Sequence, residues 1–149
     1  MKNIVNVMKL EVRAESINES FARTTVAAFA SQFDPTLEEI SDMKTAVSEA
    51  VTNSVVHSQT QTILIECELW QDVDMRGINI KITDFGMGIV NIEKALEPFY
   101  TSKPEQERSG MGFTVMQSFM DSLEVKNGMD CGTIVSMTKL FAVETKKVG

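Results

Sequence analysis

The sequence predicts an α+β fold, a two-layer sandwich in which helices pack on one face of a mixed, mostly antiparallel sheet. Several segments alternate apolar and polar residues, which is typical of strands with one covered face. Two other segments repeat apolar residues at intervals of three and four, which is typical of amphipathic helices. The predicted order is a strand, two helices, two strands, a long loop, a third helix and two closing strands. Such an order places the helices together on one side of the sheet.

Length and composition indicate a single domain over residues 1–149. The chain is 43% hydrophobic, which suffices for one core. Its formal net charge of -7 disfavours direct binding to nucleic acid or to anionic membranes. We find no apolar signal region and no apolar run of membrane length, and we expect a cytoplasmic protein. We expect both cysteines, Cys67 and Cys131, to be buried, reduced thiols.

The N-terminal elements are predicted to be a strand over 4–14 and a helix from Ser16 to about Phe33. Apolar residues alternate with charged ones along the strand. In the helix, Ser16 is predicted to cap the first turn, with Glu19 as its capping-box partner. The residues predicted to face the core are Ile4, Met8, Leu10 and Val12 in the strand and Ile17, Phe21, Ala28 and Phe29 in the helix.

A second, longer helix is predicted to begin after Thr36 and to end near His57. Thr36 and Glu39 have the spacing of a capping box at its start. Its apolar stripe consists of Ile40, Met43, Val47, Ala50 and Val51. The remaining predicted elements are strands over 62–70 and 77–83, a functional lid at about 90–109, a helix over 112–120 and closing strands over 123–126 and 133–141.

One face of the second helix carries three polar residues, Glu49, Asn53 and His57, spaced four apart. The amide oxygen of Asn53 suits Mg²⁺, which prefers a few protein oxygens beside water and phosphate. Glu49 can take a proton from an attacking hydroxyl, although an isolated helix glutamate is more often a solvated acid. His57 is predicted to cap or pack the end of the helix, without a catalytic role.

Asp84 follows an apolar strand, where a carboxylate needs a partner. An acceptor there suits the amino group of adenine and opposes the carbonyl of guanine. Gly86 and Gly88 would let the backbone pass close to the base and the sugar. The alternative is an ordinary Asp-x-Gly turn.

The segment from Ser109 through Gly110 to Gly112 immediately precedes the third helix. Backbone N–H groups and the helix dipole form a phosphate site at such a position. Lys103 and Arg108, in the preceding loop, can neutralise the outer phosphates. The alternative is a lid whose surface charges have no such role.

Three other nucleotide motifs do not fit the sequence. It has no P-loop, and Asn91 stands where a dinucleotide-binding motif starting at Gly86 would place its third glycine. Asp84-Phe85-Gly86 has the letters of a protein-kinase magnesium motif, but the catalytic loop and the lysine strand of those kinases are missing.

Together these segments resemble the motifs of the gyrase, Hsp90, histidine kinase and MutL ATPase superfamily. The matching motifs are Glu49-x-x-x-Asn53, Asp84-x-Gly86-x-Gly88, Gly110-x-Gly112 and Gly132-Thr133. Over nearly the whole chain the sequence is also similar to the sporulation anti-sigma F factor family. That similarity is carried by Asn18 to Arg23, Val47 to Asn53 and Thr101 to Phe113.

The resemblance implies a Bergerat-type ATP-binding fold and a homodimeric serine kinase that uses ATP and Mg²⁺. It also implies that the protein inhibits a sporulation sigma factor and phosphorylates a serine of an anti-anti-sigma partner. Glu49 would be the catalytic base, Asn53 the magnesium ligand and Asp84 the adenine reader. Nucleotide contacts are implied for Gly86, Gly88, Gly110, Gly112, Thr133 and, at the terminal phosphate, Arg108, and partner contacts for Glu19 and Arg23 on the side of the first helix predicted to be exposed. The chain departs from the family after His57, so the geometry of that loop is left open.

Two functions from different classes remain open at this stage. The first is a serine kinase that is also an anti-sigma factor. The second is a nucleotide-gated binding module, in which ATP orders the lid and sets partner affinity without phosphoryl transfer. Glu49 favours the kinase, because binding alone needs no base. A histidine autokinase is less favoured, because the single histidine, His57, lies inside the second predicted helix.

Overall fold

A computed structural model describes residues 2–57, 59–86, 92, 96, 112–128 and 131–143. Its strands are β1 (Asn3–Arg13), β2 (Thr62–Gln71), β3 (Arg76–Asp84), β4 (Ser122–Asn127) and β5 (Thr133–Phe141). Its helices are α1 (Ile17–Ala30), followed by a 3-10 turn (Ser31–Phe33), then α2 (Leu37–His57) and α3 (Gly112–Phe119). Most of the predicted lid, 90–109, lies outside the described residues. Within it, the Leu96 N–H donates to the Ile92 carbonyl at 3.1 Å.

The described strands form one sheet in the order β1-β2-β3-β5-β4. Each neighbouring pair is antiparallel. Ile80 lies opposite Cys67 of β2 and Met137 of β5, so apolar side chains form rows across one face. The predicted α+β sandwich, with helices on one face of a mostly antiparallel sheet, is confirmed.

The core lies between that face and the helices. Its largest fully buried side chains are Met43, Val47 and Val51 from α2, Val26 from α1, Met116 from α3, and Ile63, Ile65, Leu69, Ile78, Ile80, Ile82 and Met137 from the sheet. Alternate residues of the strands point the other way and are more polar. On that open face Glu66 pairs with Lys9 at 3.8 Å and with Lys81 at 4.0 Å.

The capping box of α2 is present as predicted. The Glu39 N–H donates to the Thr36 hydroxyl at 3.1 Å, and the Thr36 N–H donates to the Glu39 carboxylate at 2.8 Å. Farther along, Lys139 of β5 donates to Asp42 at 3.3 Å and to the Phe119 carbonyl at 2.7 Å. A cation at the end of α3 is favourable for the helix dipole, and here it also ties α2 and α3 to the sheet.

The predicted apolar face of α1 is wrong for Ile17, Phe21 and Ala28, which are exposed, whereas Phe29 packs against the core as predicted. Ile17 and Phe21 are 78% and 53% exposed, whereas Ala22, Val26 and Ala30 form the buried stripe. The smaller side chains occupy the buried face because they let the axis of α1 lie close to the neighbouring elements. Larger side chains at these positions would prevent that close approach. The predicted capping role of Ser16 is also wrong, because its side chain makes no cap hydrogen bond.

Two further predictions need correction. Ile4 is 44% exposed, because a register shift between Ile4 and Asn6 moves the start of β1 away from the core. Cys131 is exposed, since it lies in the hairpin between β4 and β5. Cys67 is buried as predicted, and burial, with a smaller effect of Glu66, raises its pKa to about 12. Of the helices described, none is both long and apolar enough to cross a membrane.

Candidate functional site

Asp84 ends β3 as a buried carboxylate, with only 4% of its surface exposed. Its Oδ1 accepts the N–H groups of Thr133 at 3.1 Å and Gly86 at 3.2 Å. Its Oδ2 accepts the hydroxyl of Ser54 at 3.3 Å. Burial raises the pKa of Asp84, while these three hydrogen bonds act to lower it. Residues of three elements, β3, β5 and α2, therefore meet at this carboxylate.

Gly132 allows the hairpin between β4 and β5 to approach Asp84 closely. Its φ is +84°, a conformation that favours glycine. A Cβ on Gly132 would collide with the Asp84 carbonyl oxygen and would lie 2.9 Å from the Cα of Phe85. The absence of a side chain thus lets the hairpin come close enough for Thr133 to donate to Asp84.

The loop after α2 helps to hold the Asp84 turn. Gln59 has a φ of +58°, and the Thr60 hydroxyl accepts the Phe85 N–H at 3.0 Å. The same hydroxyl donates to the Thr62 carbonyl at 2.6 Å. The sequence left the geometry of this loop open, and the structure places it beside the turn that contains Gly86.

Asn53 lies beside the first residue of α3. A Cβ on Gly112 would be 3.0 Å from Asn53 Nδ2 and 3.2 Å from Oδ1. The first turn of a helix has unpaired backbone N–H groups and a partial positive charge. The amide of Asn53 therefore lies next to the N-terminus of α3, although Asn53 and Gly112 are far apart in the sequence.

Glu49 lies one turn before Asn53 on α2 and lines a groove of about 380 Å³ between α1 and α2. Arg23 of α1 lines the same groove. Arg23 donates to Glu19 at 2.8 Å, and the Ser48 hydroxyl also donates to Glu19. The prediction that Glu19 and Arg23 lie on the exposed side of α1 therefore needs correction. Their side chains are 20% and 38% exposed, and they stand where α1 meets α2.

The structure brings together many of the predicted site residues. Asp84, Gly86 and Thr133 share one cluster, and Asn53 meets Gly112. The predicted site residues that lie outside the described part of the chain are Gly88, Lys103, Arg108, Ser109 and Gly110.

Ser54 joins these two groups, and sequence reasoning did not select it. It directly follows Asn53 and donates to Asp84. A signal was available, because Ser54 continues the buried stripe of α2 one helical step after Val51. A hydroxyl at a buried helix position requires a hydrogen-bond partner, which here is the carboxylate.

The arrangement offers three kinds of chemistry along α2. The buried carboxylate of Asp84 can accept a hydrogen bond from a planar polar ligand. The amide of Asn53 and the start of α3 suit a magnesium ion and phosphate groups. Glu49 supplies a second carboxylate, which can accept a proton from a hydroxyl group.

Comparisons with known proteins give a consistent assignment. The histidine kinase-like ATPase domain family matches residues 10–139. An anti-sigma F factor of Clostridium acetobutylicum is 54% identical over 140 residues, covering 93% of this chain and 96% of that protein. An anti-sigma F factor of Thermoanaerobacter sp. is 54% identical over 134 residues, covering 90% and 93%.

Two solved structures share the fold at low identity. The RsbU and RsbW domains of Rv1364c from Mycobacterium tuberculosis give a TM-score of 0.57 at 14% identity, covering 95% of this chain and 35% of that chain. The mycobacterial sensor histidine kinase MprB gives a TM-score of 0.51 at 22% identity, covering 68% and 72%. The sequence relatives and the family match together show that the chain belongs to the histidine kinase-like ATPase family and, within it, to the anti-sigma F factors.

Proposed function

We propose that the protein is an anti-sigma factor that binds ATP with Mg²⁺ and phosphorylates a serine of an anti-anti-sigma partner. Membership of the ATPase family supports ATP binding. The observation that carries the kinase proposal is the position of Glu49, one turn from Asn53 and on the wall of a groove that opens to the surface. A protein that only bound nucleotide would not need a carboxylate there.

Asp84 is proposed to select adenine. Its carboxylate would accept the amino group of the base, and it would repel the carbonyl that guanine carries at the same place. The donors Thr133, Gly86 and Ser54 hold the carboxylate in one orientation. Gly88 is proposed to line the base and sugar as well.

Asn53 is proposed to hold the magnesium ion, and the start of α3 to bind phosphate. The space for magnesium and phosphate beside Asn53 depends on Gly112, because a side chain at that position would press against the Asn53 amide. When bound, magnesium would neutralise part of the negative charge of the phosphates. Gly110 and Ser109 are proposed to continue the phosphate site, with Lys103 and Arg108 at the outer phosphates.

Glu49 is proposed to act as the general base. It would take the proton from the serine hydroxyl of the partner as the serine oxygen forms a bond to the terminal phosphorus of ATP. The bond from that phosphorus to the bridging oxygen breaks, and ADP leaves with the electron pair. Phosphoserine and ADP are then the products, and the proton on Glu49 returns to water.

The sigma factor is the second proposed partner, since the relatives are named anti-sigma F factors. We place its contacts on α1 at Glu19 and Arg23, which remain partly exposed. A cytoplasmic location follows from a role in transcription. A homodimer is also proposed, and Ile17 and Phe21 are exposed apolar side chains that association could cover.

The test is to incubate the purified protein with γ-labelled ATP and the anti-anti-sigma protein of the same organism. We expect label on a partner serine, found by mass spectrometry, and capture of the sigma factor in the absence of that partner. Sedimentation would report the dimer. If ATP changes partner affinity but no label is transferred, the nucleotide-gated binding module is the correct function.

A further inference from the structure

We propose that Lys139 of β5 is a positioning residue for the phosphate site, because it holds the end of α3 against α2 and so keeps the start of α3 beside Asn53. This inference rests on the proposed binding of ATP. The ammonium group of Lys139 donates to Asp42 of α2 at 3.3 Å. It also donates to the carbonyl of Phe119, the last residue of α3, at 2.7 Å. Lys139 would therefore act on the nucleotide through α3 rather than by direct contact.

Helix α3 runs antiparallel to α2. At the start of α3, Gly112 lies beside Asn53. At the end of α3, Phe119 shares the Lys139 ammonium with Asp42. Asp42 lies about three turns before Asn53 on α2. The two helices pack against each other along this length. The position of α3 is thus set at both ends, and Lys139 sets the end that lies away from the phosphate site.

A short helix in this position depends on such a contact. Helix α3 has 8 residues, and a helix of this length is not stable by itself, so its place is determined by its neighbours. Its last carbonyl groups carry a partial negative charge, and the nearby Asp42 carboxylate is an acid as well. The side chains of Lys139 and Asp42 are only 12% and 22% exposed, so water cannot readily replace the ammonium. Without that ammonium, the end of α3 and Asp42 would repel each other.

The chain that follows α3 is attached to the sheet by Asp121. The Asp121 N–H donates to the Thr138 carbonyl at 2.9 Å, and the Asp121 carboxylate accepts the Leu140 N–H at 2.7 Å. These two hydrogen bonds join the chain to β5 and not to α2. Loss of the Lys139 ammonium would therefore leave α3 attached to the sheet while its start shifts relative to Asn53.

The cluster around Asp84 provides an internal reference. The donors to Asp84 come from Ser54, Gly86 and Thr133, and none of these residues belongs to α3. A shift of α3 should therefore weaken the binding of phosphate groups. It should leave unchanged the binding of adenosine, which carries the base and sugar without phosphate. A general loss of structure would weaken the binding of both ligands.

The test measures the affinity of the full-length chain for ATP with Mg²⁺ by calorimetry and for adenosine by NMR titration. In Lys139→Met, we expect the affinity for ATP to fall about 10-fold or more, because displaced N–H groups at the start of α3 bind phosphate poorly. The affinity for adenosine should change less than about 2-fold. Lys139→Arg keeps a charged donor, and its affinity for ATP should stay within about 3-fold of wild type. The matched control is Lys81→Met, which removes an ion-paired lysine from the open sheet face and should leave both affinities unchanged.

The proposal is overturned if folded Lys139→Met binds ATP as tightly as wild type does, or if its affinities for ATP and adenosine fall equally. If Lys139→Met does not fold, Asp42→Asn decides, because the amide oxygen still accepts a hydrogen bond but carries no charge. We then expect the affinity for ATP to fall about 3-fold with adenosine binding unchanged, and an unchanged affinity for ATP would overturn the proposal. Wild-type protein that binds no ATP would refute the proposed function itself, and this inference with it.

Discussion

Two polar clusters flank helix α2, and they differ in burial. Around Asp84, the carboxylate, Ser54 and Thr133 are 4%, 6% and 6% exposed. Around Glu19, the carboxylate and its partner Arg23 have side chains that are 20% and 38% exposed. In the first cluster the fold supplies every donor and water has little access. In the second cluster, water or another protein can replace the donors.

The difference determines what each cluster contributes. An exposed ion pair one turn apart on a helix stabilises the fold by only ~0.3–0.5 kcal/mol. A buried polar group that loses its partner costs ~1–3 kcal/mol. We therefore expect changes near Asp84 to alter the fold or the nucleotide affinity, and changes near Glu19 to alter partner binding alone.

Gly132→Ala should have the largest effect. The new Cβ would collide with the Asp84 carbonyl oxygen at a φ of +84°, so the hairpin must move away from Asp84. We expect a loss of about 3 kcal/mol in the free energy of unfolding, from strain and overpacking together. Urea unfolding measures it, with Lys126→Ala in the neighbouring strand β4 as the control. A loss similar to that of the control would show that the hairpin adapts without cost.

Arg23→Glu should show that the Glu19 cluster affects partner binding without affecting stability or ATP affinity. The free energy of unfolding should change little, while sigma-factor binding should weaken by about 2 kcal/mol or more, the scale of an interface hot spot. ATP affinity should stay unchanged. Arg13→Glu, at a residue whose side chain is 77% exposed, makes the same charge change on β1 and serves as the control. Normal sigma capture by folded Arg23→Glu would place the partner surface elsewhere.

Asp84→Asn should weaken ATP binding without weakening the fold. The amide keeps an acceptor for Thr133 and Gly86, but it turns a donor toward the adenine amino group. We expect a loss of ~1–3 kcal/mol, or roughly 5- to 150-fold in affinity. Nucleotide titration measures this loss, and the melting temperature should not fall, because a buried charge is removed. Unchanged ATP affinity in the folded variant would exclude Asp84 as the adenine reader.

The pH dependence of stability provides an independent check on Asp84. Folding raises the pKa of this carboxyl, so the folded state binds its proton more tightly than the unfolded state does. The contribution of Asp84 to the free energy of unfolding therefore decreases as the pH rises from the ordinary aspartate pKa of 3.8 through the raised pKa of the folded state. Asp84→Asn should gain stability relative to wild type over that window. A constant difference across the window would contradict the raised pKa.

Gly112→Ala should have the smallest effect of this group. The added Cβ would lie 3.0 Å from Asn53 Nδ2, so the amide would have to shift by a few tenths of an ångström. Such a displacement costs ~0.5–1.5 kcal/mol, or roughly 2- to 12-fold in affinity for ATP with magnesium. Calorimetric titration with and without magnesium checks it, and unfolding should not change. A loss of affinity that is the same without magnesium would argue against a metal role for Asn53.

The sequence predicted α2 well and α1 poorly, for a physical reason. The start of α2 is specified locally by Thr36 and Glu39, and its long stripe has a single helical period. Helix α1 has two competing series at the same spacing, one beginning at Ile17 and the other at Ala22. Which series is buried depends on how closely neighbouring elements approach, and this is a tertiary property.

The candidate site shows the same limit. Residue types and spacing selected Asn53, Asp84 and Gly112 as candidates, since the chemistry of these residues is visible in the sequence. Spacing alone could not show that Gly112 abuts Asn53 or that Ser54 donates to Asp84. These contacts depend on how α2, α3 and the hairpin pack together.

The rate of phosphate transfer to the anti-anti-sigma partner by Glu49→Gln tests whether Glu49 is the general base. The amide keeps the shape of the side chain but cannot accept the serine proton, and loss of a general base costs about 100-fold or more. We expect that loss with ATP and sigma binding intact, while Glu38→Gln, at an exposed position in the first turn of α2, should transfer normally. Transfer by Glu49→Gln within about 3-fold of wild type would contradict the assignment of Glu49 as the base.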